Sequence, residues 1–198
     1  MNKPQSLYIG LMSGTSLDGI DAVLAKIEAS GETSLLDSVS IAFSPELRQA
    51  LLDLQTPGPN EIHRENQAGN SLAAAYADAV KQLLSQTKLS PADISAIGAH
   101  GQTIRHQPEL GENLAYTHQT LNAALLAEKT GIDVIADFRS RDLAAGGHGA
   151  PLVPAFHAQQ FKSTENIAIV NIGGIANLTL LPTQGEVTGF DCGPGNML

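Results

Sequence analysis

Two stretches of the chain share one hydrophobic pattern, in which an apolar run, a polar turn with glycine and a second apolar run follow each other. The first spans residues 8–24 around Ser13-Gly14-Thr15-Ser16, and the second spans residues 168–181 around Gly173-Gly174. This pattern predicts a β-hairpin in both places. Glycine lets the backbone approach a ligand closely, and consecutive N–H groups of a turn form a concavity that binds anions. The two hairpins therefore predict a duplicated fold that holds a polyphosphate from two sides.

Between the hairpins, helical and strand periodicities alternate. Ser44 before Pro45 predicts a helix that runs to Leu54, because proline suits the first helical position. A second helix start is predicted at Ser90. The other predicted elements are an amphipathic helix over residues 62–84, a helix over 121–130 that ends at Gly131, and short strands over 39–43, 96–99 and 134–136. The alternation predicts an α/β fold.

The composition of the chain limits the kinds of molecule it is expected to bind and the cellular compartment in which it is expected to work. The chain has 198 residues, 42% of them hydrophobic and 16% charged, with a formal net charge of −9. This acidity argues against a nucleic-acid partner and against an anionic membrane surface. A single cysteine, Cys192, rules out an intrachain disulfide and fits a reducing compartment. With no signal peptide and no apolar run long enough for a bilayer, the sequence predicts a cytoplasmic protein.

The second hairpin lies close to the last residue of the sequence. Two strands bury little surface without further partners. We therefore predict a first domain over residues 1–160 and the truncated start of a second domain over residues 161–198, and we expect the chain by itself to be inactive. The oligomeric state stays open, a homodimer being one alternative.

Five motifs, in this order, resemble those of the anhydro-N-acetylmuramic acid kinase family in the sugar kinase–actin superfamily. They are MSGTSLDGID at 12–21, GAHGQT at 98–103, DFRSRDLAAGGHGAPLVP at 137–154, NIGG at 171–174 and FDCGPGN at 190–196. The resemblance implies an actin-like, ribonuclease H-like ATPase fold, present as its first domain plus the opening hairpin of the second. It also implies a sugar kinase that uses ATP and Mg²⁺ to convert 1,6-anhydro-N-acetylmuramic acid and water to N-acetylmuramic acid 6-phosphate, in peptidoglycan recycling.

The resemblance places ATP and phosphate contacts on both hairpins. The predicted residues are Ser13, Gly14, Thr15, Ser16, Leu17, Asp18, Gly19, Ile20 and Asp21 in the first, and Asn171, Gly173 and Gly174 in the second. Many superfamily members carry an acid directly after the first strand, which holds Mg²⁺ through water. Ser13 stands at that place here, so Asp18 is predicted near the metal, while Asp21 serves either the site or the turn.

The sugar contacts are predicted on two segments that follow strands. His100, Gln102 and Thr103 form the first group, with a structural histidine as the alternative for His100. Arg139 and Arg141 form the second, because a guanidinium matches a carboxylate such as the lactyl group of the sugar. One arginine is expected at the ligand and the other in an ion pair with Asp137 or Asp142, and the sequence does not rank them.

Asp142 and His148 complete the predicted sugar site, although His148 stands where the family shows glutamine. Leu121 and Ala123 also depart from the family's glycine and proline, so the loop with Gln119 and Asn122 is expected to differ locally.

Asp191 is the predicted catalytic residue. It precedes Gly193-Pro194-Gly195, so it is expected at a strand end on a rigid turn. In the family the matching aspartate activates the water that attacks the anomeric carbon, while O6 accepts the phosphoryl group. The alternative is a turn aspartate bonded to its own backbone. Two other functions stay open: a non-sugar ATPase of the same fold, and a fragment that binds sugar without catalysis.

Overall fold

A computed structural model describes residues 6–109, 114–161 and 163–195. Asn196, the last residue of the fifth motif, lies outside these residues. The elements in chain order are β1 (Ser6–Met12), β2 (Ile20–Ile27), β3 (Thr33–Ile41), α1 (Pro45–Asp53), α2 (Glu61–Thr87), a 3₁₀ turn (Pro91–Asp93), β4 (Ile94–Ala99), β5 (Gln102–Gln107), β6 (Tyr116–Thr120), α3 (Ala123–Thr130), β7 (Val134–Ile135), α4 (Phe138–Ala144), α5 (Pro154–Gln160), β8 (Ile167–Ile172), β9 (Ile175–Leu181) and β10 (Thr188–Pro194).

A mixed five-stranded sheet in the order β3-β2-β1-β4-β7 organises the first part of the chain. β1, β2 and β3 pair antiparallel, whereas β4 runs parallel to β1 and β7 parallel to β4. This order, with its reversed second strand, is the ribonuclease H-like arrangement, and it confirms the predicted fold class. The carboxyl ends of β1 and β4 lie side by side, which brings the first turn next to the loop at His100.

Helix α2 supplies much of the core against this sheet. Leu72, Tyr76, Val80 and Leu83 recur every three or four residues and are completely buried. Each large apolar side chain buried in this way contributes about 1.5–3 kcal/mol. The predicted amphipathic helix is confirmed, and it is longer than its apolar pattern because polar turns extend both ends.

Several element boundaries differ from the prediction for local reasons. The helix start predicted at Ser90 is a single 3₁₀ turn, because β4 begins directly after it at Ile94. Helix α3 begins two residues late, because the Asn122 side chain accepts the N–H of Leu125 and so caps it. β3 starts at Thr33 rather than at residue 39, since it follows β2 along its whole length.

A separate antiparallel sheet in the order β10-β9-β8 contains the second predicted hairpin. Helix α5 packs on it, and His157 on this helix bonds the buried Thr179 hydroxyl across 2.9 Å. Val170, Ile172 and Ile175 are exposed at 58%, 71% and 52% of their surface. In the described part of the chain, no helix is long and apolar enough to cross a bilayer.

Candidate active site

A cleft of about 300 Å³ lies between the two sheets. The residues of the predicted site that border it are Ser13, Gly14, Thr15, Ser16, His100, Thr103, Arg139, Asn171, Gly173, Gly174 and Asp191. The structure therefore brings residues from all five motifs to one place, although strands and helices separate them along the chain.

The first turn presents backbone N–H groups at this cleft. The N–H of Leu17 donates to the carbonyl of Gly14 across 3.1 Å and closes a tight turn, in which Leu17 has a left-handed φ of 53°. Among the described residues, no backbone hydrogen bond uses the N–H groups of Gly14, Thr15 and Ser16. Successive N–H groups of this kind form a concavity suited to phosphate oxygens.

Ser13 contributes differently from the rest of the turn. Its side chain is 2% exposed, and its hydroxyl lies 2.9 Å from the Tyr76 hydroxyl and 3.3 Å from the Gly101 carbonyl. The hydroxyl therefore belongs to the interior. Any contact of Ser13 with a phosphate would use its backbone.

Residues 17–21 of the first motif lie away from the cleft. Leu17 and Ile20 are buried in the core, and the Gly19 backbone packs against Ile41. Asp18 is exposed, and Asp21 accepts a hydrogen bond from Ser40 on the neighbouring strand at 2.5 Å. None of the five borders the cleft, because the chain has already turned into β2. Their predicted phosphate and metal roles stay predictions.

His100 is held as a neutral imidazole by two hydrogen bonds. Its Nδ1 lies 2.7 Å from the Gly101 carbonyl, which can only accept, so Nδ1 donates. Its Nε2 receives the Arg139 Nε–H at 2.8 Å. Burial, and secondarily the positive charge of Arg139, lowers the pKa of His100 from its ordinary value of 6.5.

This environment predicts a loss of stability in acid. The unfolded chain takes up a proton on His100 near pH 6.5, before the folded protein does, so the contribution of His100 to the free energy of unfolding is complete above about pH 6.5 and is lost as the pH falls through the lower folded-state pKa. We expect urea unfolding between pH 8 and pH 5 to show a steeper fall in the free energy of unfolding for wild type than for His100→Gln.

The control for this experiment is His148→Gln, since His148 is exposed. It makes the same substitution at an exposed position that does not border the cleft. Parallel stability curves for wild type and His100→Gln would contradict the assignment of a neutral His100.

Arg139 and Arg141, which the sequence left unranked, occupy different places. Arg139 is partly buried and borders the cleft, whereas Arg141 is exposed on α4 and does not. The Nη1 of Arg139 donates to the Gly149 carbonyl at 2.5 Å, and the Gly149 N–H donates to Asp142 Oδ2 at 2.7 Å. Burial lowers the pKa of Arg139, while Asp191 and Asp142 oppose that shift. The geometry favours Arg139 for an anionic ligand.

Asp142 and His148 have their places on the glycine loop beside Arg139. The Asp142 carboxylate packs against Gly147, where an added Cβ would overlap the carboxylate oxygens. Asp142 thus orders the loop rather than bordering the cleft, and the exposed His148 does not border it either. The sequence placed Arg139 directly after a strand, but residues 138–144 form helix α4.

Gln102 and Thr103, which were predicted together with His100 as sugar contacts, also occupy different places. The fully buried Gln102 donates from Nε2 to the Gly14 carbonyl at 3.1 Å, while Thr103 borders the cleft. Gln119 donates to the Thr103 hydroxyl at 3.2 Å, and Asn122 donates to Asn70 besides capping α3. Gln102 is therefore a link between two loops, and Asn122 belongs to the packing of α3.

Asp191 lies inside β10 rather than on a turn at a strand end. The pairing of β10 with β9 shifts between Asp191 and Gly193, and the exposed Asp191 side chain borders the cleft opposite Arg139. The expectation of a rigid turn was wrong about the element, because pairing continues to Pro194. The adjacent Cys192 is exposed, with its Sγ 3.4 Å from the Ala176 carbonyl.

His106 also borders the cleft, and the sequence did not indicate it. The pairing of β5 with β6 shifts between Thr103 and Arg105, and this irregularity lets Thr103 and His106 border the same cleft despite their odd spacing. Burial and Arg139 lower the pKa of His106, whereas Asp191 raises it. A bulge of this kind has no signal in the alternation of residues 102–107.

The described residues contain no cluster of three or more histidine, cysteine, aspartate or glutamate side chains suited to a metal ion. Of the carboxylates, Asp191 is the one that borders the cleft there.

The chain is similar to one family of known proteins over nearly its whole length. It matches the sequence model of the anhydro-N-acetylmuramic acid kinase family over residues 6–198. The anhydro-N-acetylmuramic acid kinase of Ralstonia nicotianae is 59% identical, with 96% of this chain and 51% of that protein covered. The kinase of the same name from Variovorax paradoxus is 54% identical, with 97% and 52% covered. The chain thus spans about half the length of these curated relatives.

Among solved structures, a reductive activator for a corrinoid, iron–sulfur protein aligns with a TM-score of 0.51 at 13% identity. The alignment covers 98% of this chain and 32% of that one, and the likeness concerns the fold alone.

Proposed function

The chain belongs to the anhydro-N-acetylmuramic acid kinase family, and we propose that its cleft serves the ATP-dependent conversion of 1,6-anhydro-N-acetylmuramic acid and water to N-acetylmuramic acid 6-phosphate. The protein is then a transferase that phosphorylates an alcohol group. The proposal includes a cytoplasmic role in the recycling of cell-wall peptidoglycan, with a small sugar and ATP as ligands.

The observation that carries this proposal is the meeting of three groups at one cleft: the N–H groups of the first turn, the Arg139 guanidinium and the Asp191 carboxylate. Phosphoryl transfer depends mostly on positioning and on neutralising charge. The turn at Gly14 to Ser16 would hold phosphate oxygens, and Gly173 and Gly174 border the same cleft from the other sheet. Mg²⁺, when bound with ATP, supplies further neutralisation of the phosphate charge.

The sugar would be oriented by its carboxylate. Arg139 is fixed by bonds from its Nε to His100 and from its Nη1 to Gly149, so its Nη2 edge is the part that a ligand carboxylate would engage. Because His100 is neutral, it adds no second positive charge at this place. Thr103, which borders the same cleft, offers a hydroxyl to the sugar.

Asp191 would act as the general base. It takes a proton from water, the water oxygen forms a bond to the anomeric carbon, and the bond from that carbon to O6 breaks. O6 then forms its bond to the γ-phosphorus, and ADP leaves. A carboxylate on the cleft wall is suited to this step because it is exposed to water there.

The test is the release of ADP with and without 1,6-anhydro-N-acetylmuramic acid, from the 198-residue chain and from a full-length protein. We expect sugar-dependent release from the full-length protein and none from the 198-residue chain. Release that ignores the sugar would favour the alternative of a non-sugar ATPase of the same fold. Sugar binding by the full-length protein without any release would favour a binding function.

A further inference from the structure

Tyr76 is a buried polar residue that the proposed reaction does not use. It lies in the middle of α2 and is the largest of the fully buried side chains in the described part of the chain. A leucine or phenylalanine would satisfy the packing there, and a buried hydroxyl is costly unless it is hydrogen-bonded. We therefore expect the Tyr76 hydroxyl to have a hydrogen-bonding role in the fold.

The Tyr76 hydroxyl lies where the turn at residues 13–16 meets the loop at residues 100–103. It lies 2.9 Å from the Ser13 hydroxyl, and Ser13 in turn donates to the Gly101 carbonyl at 3.3 Å. Either hydroxyl of the Tyr76–Ser13 pair can be the donor, and the two bonds together link α2 through Ser13 to Gly101. A second bond joins the same loops, since Gln102 donates to the Gly14 carbonyl at 3.1 Å.

The buried Tyr76 phenol stays neutral at this position. Burial raises the pKa of Tyr76 to about 12, although its bonds to Ser13 and to the Gly101 backbone act the other way. The hydroxyl therefore keeps its proton at any working pH. It is also out of reach of the cleft, which Tyr76 does not border.

We propose that Tyr76 is a positioning residue: its hydroxyl fixes the Ser13 hydroxyl, which joins the phosphate turn at residues 13–16 to the sugar loop at residues 100–103 through the Gly101 carbonyl, and this chain of bonds is called the lock. The inference rests on the proposed function, in which these loops hold the two reactants. Each loop keeps its own internal bonds without Tyr76, such as that from Leu17 to Gly14. The lock sets the distance between the loops, and small displacements between reacting groups are costly in rate.

The test is Tyr76→Phe in the full-length protein, which retains the ring and removes the hydroxyl. We expect kcat to fall about 10-fold, as for the loss of one buried hydrogen bond that orients the reactants. The KM values for ATP and for the sugar should stay within about threefold, because neither loop loses a ligand contact. An unchanged kcat, within about twofold, would overturn the proposal.

Ser13→Ala is the second variant, and it leaves the tyrosine and its packing in place. It should lower kcat at least as much as Tyr76→Phe does, and the double variant should be little worse than Ser13→Ala alone, because Ser13→Ala already removes the bonds of Ser13 to both Tyr76 and Gly101. A rise in the KM for ATP alone would mean that the Ser13 hydroxyl binds phosphate, and would overturn the proposal. Additive effects of the two substitutions would also overturn it.

Two controls separate positioning from stability. Tyr8→Phe makes the same chemical change on β1 outside the cleft lining, and Thr130→Val removes a buried hydroxyl that bonds Leu126 within α3. Both should keep kcat, and Thr130→Val should lower the melting temperature. If Tyr76→Phe behaves like Thr130→Val, with a lower melting temperature and a normal kcat, the Tyr76 hydroxyl serves stability and the lock is contradicted.

Hydrogen exchange tests the lock independently of the reaction. The amides of Leu17 and His100, bonded to Gly14 and Leu11, should exchange faster in Tyr76→Phe than in Tyr8→Phe. Equal exchange in these variants would overturn the lock. A wild-type full-length protein without sugar-dependent ADP release would instead contradict the proposed function, while the exchange result would still decide the lock.

Discussion

Asp191→Asn in the full-length protein should abolish most turnover and leave ATP binding nearly unchanged. Asparagine keeps the shape of the side chain and one acceptor, but it cannot take the proton of the attacking water. Removal of a general base lowers a rate by about 10²–10⁴-fold. The loss should appear in kcat, measured as sugar-dependent ADP release, because Asp191 stands on the cleft wall rather than in the phosphate turn.

The matched control is Asp133→Asn, which neutralises an exposed carboxylate that does not border the cleft. It should retain the wild-type kcat. Calorimetric titration with an ATP analogue should give the same affinity, within about threefold, for both variants and the wild type. An Asp191→Asn protein with a kcat within a few-fold of wild type would remove Asp191 from the catalytic role.

The parts of the fold that the sequence predicted are those set by local pattern. The two hairpins and helix α2 follow from alternation and from apolar spacing, and all three are confirmed. The 3₁₀ turn at Pro91 and the helix at Phe138 were missed because neighbouring elements set them. The residues of one element do not show where the next strand begins.

In the candidate site, too, the sequence predicted the loops but not the contacts of individual side chains. The motifs identified the loops, but they did not show that the Ser13 hydroxyl turns inward to Tyr76 or that Gln102 links two loops. Both facts depend on where α2 packs. The β-bulge that places His106 beside Thr103 is likewise a property of the pairing of two strands.

The positions of Arg139 and Arg141 around α4 distinguish the two arginines that the sequence could not rank as ligand contacts. Arg139 is partly buried and borders the cleft, whereas Arg141, two residues later on the same short helix, is exposed. A separation of two residues turns a helix by about 200°. The sequence could not show which of the two faces pointed inward, because no apolar stripe on residues 138–144 is long enough to define it.

Arg139→Ala should weaken the binding of 1,6-anhydro-N-acetylmuramic acid to the full-length protein by roughly 10- to 150-fold, the equivalent of a charge-assisted bond of about 1.5–3 kcal/mol. The affinity for ATP should change by less than about threefold. Arg139→Lys should recover only part of the loss, because an ammonium keeps the charge but lacks the planar fork of donors that Arg139 holds against His100 and Gly149.

Arg141→Ala is the matched control, since it removes the same group from the same helix at an exposed position. Its sugar affinity should equal that of wild type. Titrations of each variant with the sugar and, separately, with an ATP analogue distinguish a ligand contact from a structural one. If Arg139→Ala weakens both ligands equally and lowers the melting temperature, Arg139 supports the loop at Gly149 rather than the carboxylate. A selective loss of sugar binding in Arg141→Ala would assign the carboxylate to Arg141 instead.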